Sequence, residues 1–221
     1  INETIDKLLN SNCSIVRFGD GEFNLSLGRS ISFQTKNREL SRELQKILKS
    51  KNQSEILVAI SPFTPKIFTK FQINFWFENI FDIAGLLDLS KTYYSTSVTR
   101  QASEAQFELL RKIWDKKEVI FVFGENSRFK YNHELFDNTN KKHIVLSKAK
   151  NAWNDFDITY EKTKKIAQKC ESPIVICALG PTATVLAYKL ALNKVRAIDI
   201  GHLTNIFDVK KYGALIPEQI V

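Results

Sequence analysis

Methionine is absent from the 221 residues, and glycine occurs only 8 times, proline 5 and cysteine 3. So little Gly and Pro excludes collagen-like and low-complexity chains and argues against a turn-punctuated sandwich or barrel; long elements joined by short loops are expected. Three cysteines cannot make a paired disulfide framework, and Cys13, Cys170 and Cys177 lie far apart or on apolar runs, which fits a reducing, cytoplasmic compartment. No uncharged apolar stretch approaches the length of a membrane span, and no basic segment leads into an apolar one, so neither a span nor a signal peptide is visible. Without Met and with Ile1 first, the sequence is expected to have lost or omitted preceding residues.

What is present fits one globular domain over residues 1–221, or at most a domain with a small appendage, with 43% of residues hydrophobic and 25% charged; it is expected to be a piece excised from a longer protein. Disordered and fibrous classes are thereby excluded. The 32 Lys and Arg against 24 Asp and Glu give a net charge of +8, which suits an anionic partner: nucleic acid, acidic lipid or a phosphorylated small molecule. Charge sign alone does not choose among them.

Short β-branched runs at Ser14–Phe18, Ile56–Ile60, Val119–Phe123, His143–Leu146, Ile174–Ala178 and Ala197–Ile200 read as strands covered on both faces. Between them, Leu40, Leu44, Ile47 and Leu48 share a helical face, as do Ala105, Leu109, Ile113 and Trp114, and Ala183, Leu186, Leu190 and Ala191. This alternation predicts an α/β fold, a Rossmann-like, mostly parallel sheet with helices on both faces and ligands at the carboxyl ends of the strands. Residues 67–87 stand apart, with Phe68, Phe71, Phe75, Trp76, Phe77 and Phe81 in about four helical turns. A core helix or dimer seam is one reading of this arc. Contact with a membrane surface or lipid-linked substrate is the other.

The residues that follow the strands carry the chemistry. After the first comes Gly19-Asp20-Gly21-Glu22; in an extended segment the Asp20 and Glu22 carboxylates would point the same way, two hard oxygen ligands for Mg²⁺ or Mn²⁺, with Arg17 upstream for a phosphate. A tight Asp-Gly turn is the alternative. After Phe123 come Gly124 and Arg128, which suit a phosphate or ribose but also describe any βα loop. Gly180-Pro181-Thr182 runs into a helix whose first N–H groups and dipole make an anion site, or simply a capped helix. Asp199-Ile200-Gly201-His202 delivers a carboxylate and an imidazole able to ligate, contact phosphate or exchange protons, or to serve structurally. Ser95 to Arg100 offers alternating hydroxyls and a guanidinium, for a diphosphate or as a polar strand edge with a helix cap. Neither a Walker loop nor a G-x-G-x-x-G fingerprint occurs.

Arg17-Phe18-Gly19-Asp20-Gly21-Glu22, Ser97-Val98-Thr99-Arg100, Phe123-Gly124, Leu179-Gly180-Pro181-Thr182-Ala183 and Ala197 through His202 together resemble, in order and spacing, the GT-D type glycosyltransferases, a bacterial family first catalogued as a domain of unknown function. The resemblance covers nearly the whole chain. It implies a Rossmann-like fold distinct from the two common glycosyltransferase folds. It also implies transfer of a sugar from a nucleotide-sugar, UDP-sugar being expected, to a bacterial surface glycan, glycoprotein or lipid-linked oligosaccharide. The family's D-x-E motif, which binds metal and diphosphate, matches Asp20-Gly21-Glu22. By position, Arg17, Gly19, Asp20, Arg100, Gly124, Gly180, Pro181 and Thr182 are expected to bind the donor, with Asp20, Glu22 and His202 around Mn²⁺ or Mg²⁺. Glu22, Asp199 and His202 are the candidate catalytic acids and bases.

Expected partners are thus the donor and the glycan acceptor, with no nucleic acid. A homo-oligomer and peripheral contact at the inner membrane face through residues 67–87 are further expectations. Two readings compete. One is a non-catalytic basic module for nucleic acid or acidic glycan, disfavoured because Lys and Arg are spread over several helices, as in Lys36 to Lys51 and Lys162 to Lys169. The other is a Rossmann-like enzyme using NAD or S-adenosylmethionine, disfavoured by the missing glycine fingerprint.

Overall fold

Among the described residues, six of the seven strands form where β-branched and aromatic residues run together, and the nearly continuous burial of five of them shows why alternation is missing there. A computed structural model describes residues 1–62 and 70–215. In chain order it contains α1 (Asn2–Asn10), β1 (Ser14–Phe18), α2 (Asp20–Ser26), α3 (Arg38–Lys49), β2 (Ile56–Ile60), α4 (Lys70–Leu86), β3 (Tyr94–Ser95), α5 (Glu104–Arg111) and β4 (Glu118–Gly124). It continues with β5 (Lys141–Ser147), α6 (Phe156–Ala167), β6 (Ile174–Ala178), α7 (Pro181–Leu192), β7 (Arg196–Asp199) and α8 (Leu203–Tyr212). The strands make one parallel sheet in the order β3-β2-β1-β7-β6-β4-β5. A parallel sheet needs crossovers that cover its faces, and the helices do this. One apolar core lies under α2, α3, α4, α6 and α7, the other under α1, α5 and α8.

Local chemistry sets the ends of these elements. Asn37 caps α3, its side-chain oxygen accepting from the N–H groups of Glu39 and Leu40 at 2.9 and 3.0 Å. Ser103 and Gln106 close a reciprocal capping box on α5. On the outer edge, β5 alternates between exposed and buried positions and opens with Lys141 and Lys142, charges that discourage further strand pairing.

Several elements differ from their sequence patterns. β1, β2 and β6 have the predicted bounds, whereas β4 and β5 extend beyond the apolar runs because ladder pairing continues through Glu118↔Lys141 and Gly124↔Ser147. β7 begins at Arg196 and ends at Asp199. β3, only two residues long, was not anticipated. Of the segment read either as a diphosphate contact or as a polar strand edge, Ser95 ends the edge strand β3 and Thr96–Thr99 form a buried 3-10 turn. In α5 the fully buried residues are Phe107 and Leu110, Leu109 packs half-buried against the same core, and Ala105 is exposed; the helix stops at Arg111, so Ile113 and Trp114 are buried from the turn that follows rather than from its continuation.

The aromatic arc divides. Phe75 and Trp76 are buried, while Phe77 and Phe81 on the same helix are 67% and 89% exposed. Phe68 lies outside the described residues. Among the described residues no helix is long and apolar enough to cross a membrane.

A matched pair of substitutions tests this division of aromatics. Phe75, buried on α4 with the Trp76 ring 6.0 Å away, is expected to cost about 3–5 kcal/mol as Phe75→Ala. Phe81→Ser should stay within about 0.5 kcal/mol. Urea unfolding of both variants provides the measurement.

Candidate functional site

The ends of β1, β6 and β7 meet where the half of the sheet wound outward to β3 adjoins the half containing β4 to β7. Beyond them opens a cleft of about 710 Å³, larger than the cavities of about 400 and 270 Å³ elsewhere on the molecule. Such a crevice is where an open parallel sheet binds ligands.

Its floor is a buried charge pair. Arg17 stands in β1 between core residues Val16 and Phe18, and its Nη1 lies 3.7 Å from Asp199 Oδ1 at the end of β7. Asp199 is held in turn: it accepts from the Thr184 hydroxyl at 3.2 Å and from the Gly201 N–H at 3.1 Å. Thr184 also lies 2.9 Å from the Arg17 carbonyl, so one residue of α7 ties β1 to β7. Gly201 has φ +49°, and an added Cβ would sit 1.9 Å from Arg17 Nη1. The guanidinium therefore occupies the space that any side chain at 201 would need. Arg17 Nε is buried without a hydrogen-bond partner among the described residues.

The D-x-E segment is not extended. Gly19 precedes α2, and Asp20 and Glu22 occupy its first turn, where positions two apart project in different directions. Glu22 turns back and accepts from the Gly19 N–H at 2.7 Å, as an N3 glutamate does when it closes a helix start. Both residues still border the cleft. Burial, followed by the nearby Asp199 charge, pushes the Glu22 carboxyl up to about 7, against the opposing pull of Arg17. Burial likewise raises Asp199, opposed by Arg17, and lowers Arg17, opposed by Asp199.

Arg100, Gly180 and His202 border the same cleft, as do Arg128, Ser61 and Phe33. Gly180, at φ +54°, leaves no room for a Cβ, which would fall 2.5 Å from the Phe33 ring. Pro181 occupies the first position of α7 as predicted, but Pro181 and Thr182 lie behind the cleft wall, the Thr182 hydroxyl buried without a partner among the described residues. Gly124 also lies outside the lining; its missing side chain makes room for Ala149, whose Cα would be 2.6 Å from an added Cβ. Ser61 follows a predicted strand and was legible by that rule. Phe33 had no such signal, since the loop carrying it is placed by tertiary contacts, among them the Asn151 N–H donating to the Phe33 carbonyl at 2.8 Å.

The donor set fits an oxygen-seeking divalent cation: two carboxylates at the cleft, with phosphate oxygens and water left to complete the shell. His202 is not drawn into a three-ligand cluster with them. Among the described residues the group of three ligating side chains with ligand atoms all within 4.8 Å is Glu118, His143 and Cys170. Among the described residues several lysines have acidic partners. Lys46 and Lys189 pair with Glu43, Lys148 with Asp155 and Lys194 with Glu55, on separate parts of the surface.

A family model described as glycosyltransferase GT-D fold matches residues 15–218. The chain belongs to this family. It is 31% identical over 227 residues to Glycosyltransferase GlyD of Streptococcus pneumoniae serotype 4 (strain ATCC BAA-334 / TIGR4), and 29% identical over 231 residues to a probable glycosyl transferase, Gly, of Streptococcus gordonii. Both matches take in 97% of this chain but only 28% and 33% of the relatives, so it spans about a third or less of their length. Among solved structures, a glycosyltransferase (DUF1792) from Streptococcus sanguinis superposes with TM-score 0.87 at 28% identity, covering 96% of this chain and 84% of that one. A domain of unknown function 1792 described as having a distinct glycosyltransferase fold gives 0.86 at 29% identity, over 96% and 80% of the two chains. The GT-D chain thus has the α/β architecture expected from its strand and helix alternation.

The position of Glu22 has a measurable consequence in the metal-free protein. A carboxyl raised in the fold stabilises it fully below the unfolded value, and this contribution is lost as pH rises toward about 7. Relative to Glu22→Gln, the native chain should therefore lose about 1–2 kcal/mol between pH 5 and pH 7, allowing for screening at the cleft. Thermal or urea unfolding across that range measures it; a pH-independent difference would contradict the placement.

Proposed function

We propose that this GT-D chain catalyses metal-dependent transfer of a sugar from a nucleotide-sugar, a UDP-sugar first, to a bacterial surface glycan, glycoprotein or lipid-linked oligosaccharide. The observation carrying this reading is the meeting of two carboxylates with Arg17, Arg100 and His202 around one cleft at the carboxyl end of a parallel sheet. Family membership supports the reaction class.

Asp20 and Glu22 are the residues that would hold Mn²⁺ or Mg²⁺. Bound there, such an ion neutralises charge on a departing diphosphate. Arg17 and Arg100 supply fixed positive charge to the same oxygens, and the unpartnered Arg17 Nε–H is a donor that a phosphate oxygen would satisfy. Asp199 holds the guanidinium in place through Thr184 and Gly201 rather than facing substrate alone. His202, beside the start of α8, is the group we assign to the acceptor hydroxyl proton. Phe33 presents an aromatic surface at the cleft, suited to a base or sugar face. The outward Phe77 and Phe81 support peripheral contact with a membrane carrying a lipid-linked acceptor, at its cytoplasmic face where the nucleotide-sugar would be available.

Calorimetric titration of UDP and UDP-sugars, with and without Mn²⁺, tests the assignment. Binding to the native chain is expected to require the metal, and Asp20→Asn should weaken it at least tenfold; equal binding without metal and in the variant overturns the reading. In a transfer or donor-hydrolysis assay, Arg17→Lys is expected to lower kcat by roughly 10²-fold, because an ammonium cannot reproduce the guanidinium geometry.

A further inference from the structure

A second group of ligating side chains lies at the other end of the sheet. Glu118 opens β4 and His143 is the third residue of β5, whereas the cleft lies beyond the last residues of the strands. Seven residues of β4 put about 20 Å between the two ends. Cys170 reaches this edge from the turn between α6 and β6. His143 Nε2 is 3.0 Å from Glu118 Oε2 and 3.5 Å from Cys170 Sγ. All three side chains are half-buried, close to the surface and open to ions from solvent.

We propose that Glu118, His143 and Cys170 form a Zn²⁺ site, separate from the cleft, that fastens the outer strand and the end of α6 to the sheet. The donors are one carboxylate oxygen, one imidazole nitrogen and one sulfur. This set favours a borderline metal over the oxygen-seeking ions suited to Asp20 and Glu22. Bonds of about 2.0–2.3 Å in a tetrahedron place ligand atoms roughly 3.3–3.7 Å apart, so the two separations from His143 Nε2 need only small adjustments, and all three ligand atoms already lie within 4.8 Å of one another. A water completes the fourth position on the solvent side. Lys141, with Nζ 4.0 Å from Glu118 Oε2 and a largely exposed side chain, can yield that carboxylate without leaving a buried charge. Binding converts the Cys170 thiol to thiolate and releases its proton to solvent. Because the ligands come from β4, β5 and the α6–β6 turn, an ion held only by the folded chain stabilises this edge by mass action.

Cobalt is the spectroscopic probe. One equivalent of Co²⁺ added to the reduced full chain should produce a thiolate-to-cobalt charge-transfer band. Cys170→Ser should abolish that band and His143→Gln weaken binding at least tenfold, while Asp20→Asn leaves both intact. Cys13 and Cys177, 2% and 0% exposed, are not available to supply a substitute sulfur. Zn²⁺ at a hundredfold excess over Kd should raise the Tm of the native chain by about 5–10 °C and leave that of Cys170→Ser unchanged. Circular dichroism of the metal-free variants checks that they fold. A missing band in the native chain, a band that survives Cys170→Ser, or equal Tm shifts in both proteins overturns the proposal.

Discussion

A guanidinium buried inside a parallel sheet must have a counter-charge, and the arrangement around Arg17 follows from that need. Taking an arginine and an aspartate out of water costs several kcal/mol per ion before their attraction is counted, and apolar residues in the same positions would often be at least as stable. Here Asp199, the Thr184 hydroxyl and the Gly201 N–H are all directed to the pair. The absence of a side chain at Gly201 is part of the same arrangement, because the guanidinium fills its place. The pair lies at the carboxyl edge of the central strands, where both residues line the cleft.

The helix start at Gly19 then determines what the D-x-E segment can do. In a strand, its carboxylates would act as a matched pair. In the first turn of α2 they differ: both are half-buried at the cleft, but Glu22 turns back, closes the helix start and lies near the Asp199 charge. Burial there, followed by the Asp199 charge, is what raises the Glu22 carboxyl. The same physics separates the two ends of the molecule. Carboxylate oxygens collect at the cleft, and a mixed sulfur, nitrogen and oxygen set collects at the opposite edge, so cations of different hardness suit each.

The aromatic helix shows how a wide apolar arc can serve two purposes. Trp76 meets the rings of Phe23 and Phe75 edge-on, and both α4 aromatics belong to the core that α2 covers. Phe77 and Phe81, one and five positions after Trp76, face outward because that core has room on one side only. Neither role alone accounts for the whole segment.

Periodicity and composition were enough to determine the buried strands, the helical faces of α3 and α7, and the end of the sheet at which to look for a site. Those features depend on residues within one or two turns of each other, and continuous β-branched runs have few other ways to be buried. The family, too, was legible in the ordered motifs from Arg17 to His202. Spacing did not reveal that Asp20 and Glu22 begin a helix, that Gly124 makes room for Ala149, or that Phe33 reaches the cleft. Nor did it bring Glu118, His143 and Cys170 together. The helix start is closed locally, by Glu22 on the Gly19 N–H, but the others depend on contacts between segments tens to more than a hundred residues apart; only packing the sheet and its helices decides which side chains share a low-dielectric space and which are left to water.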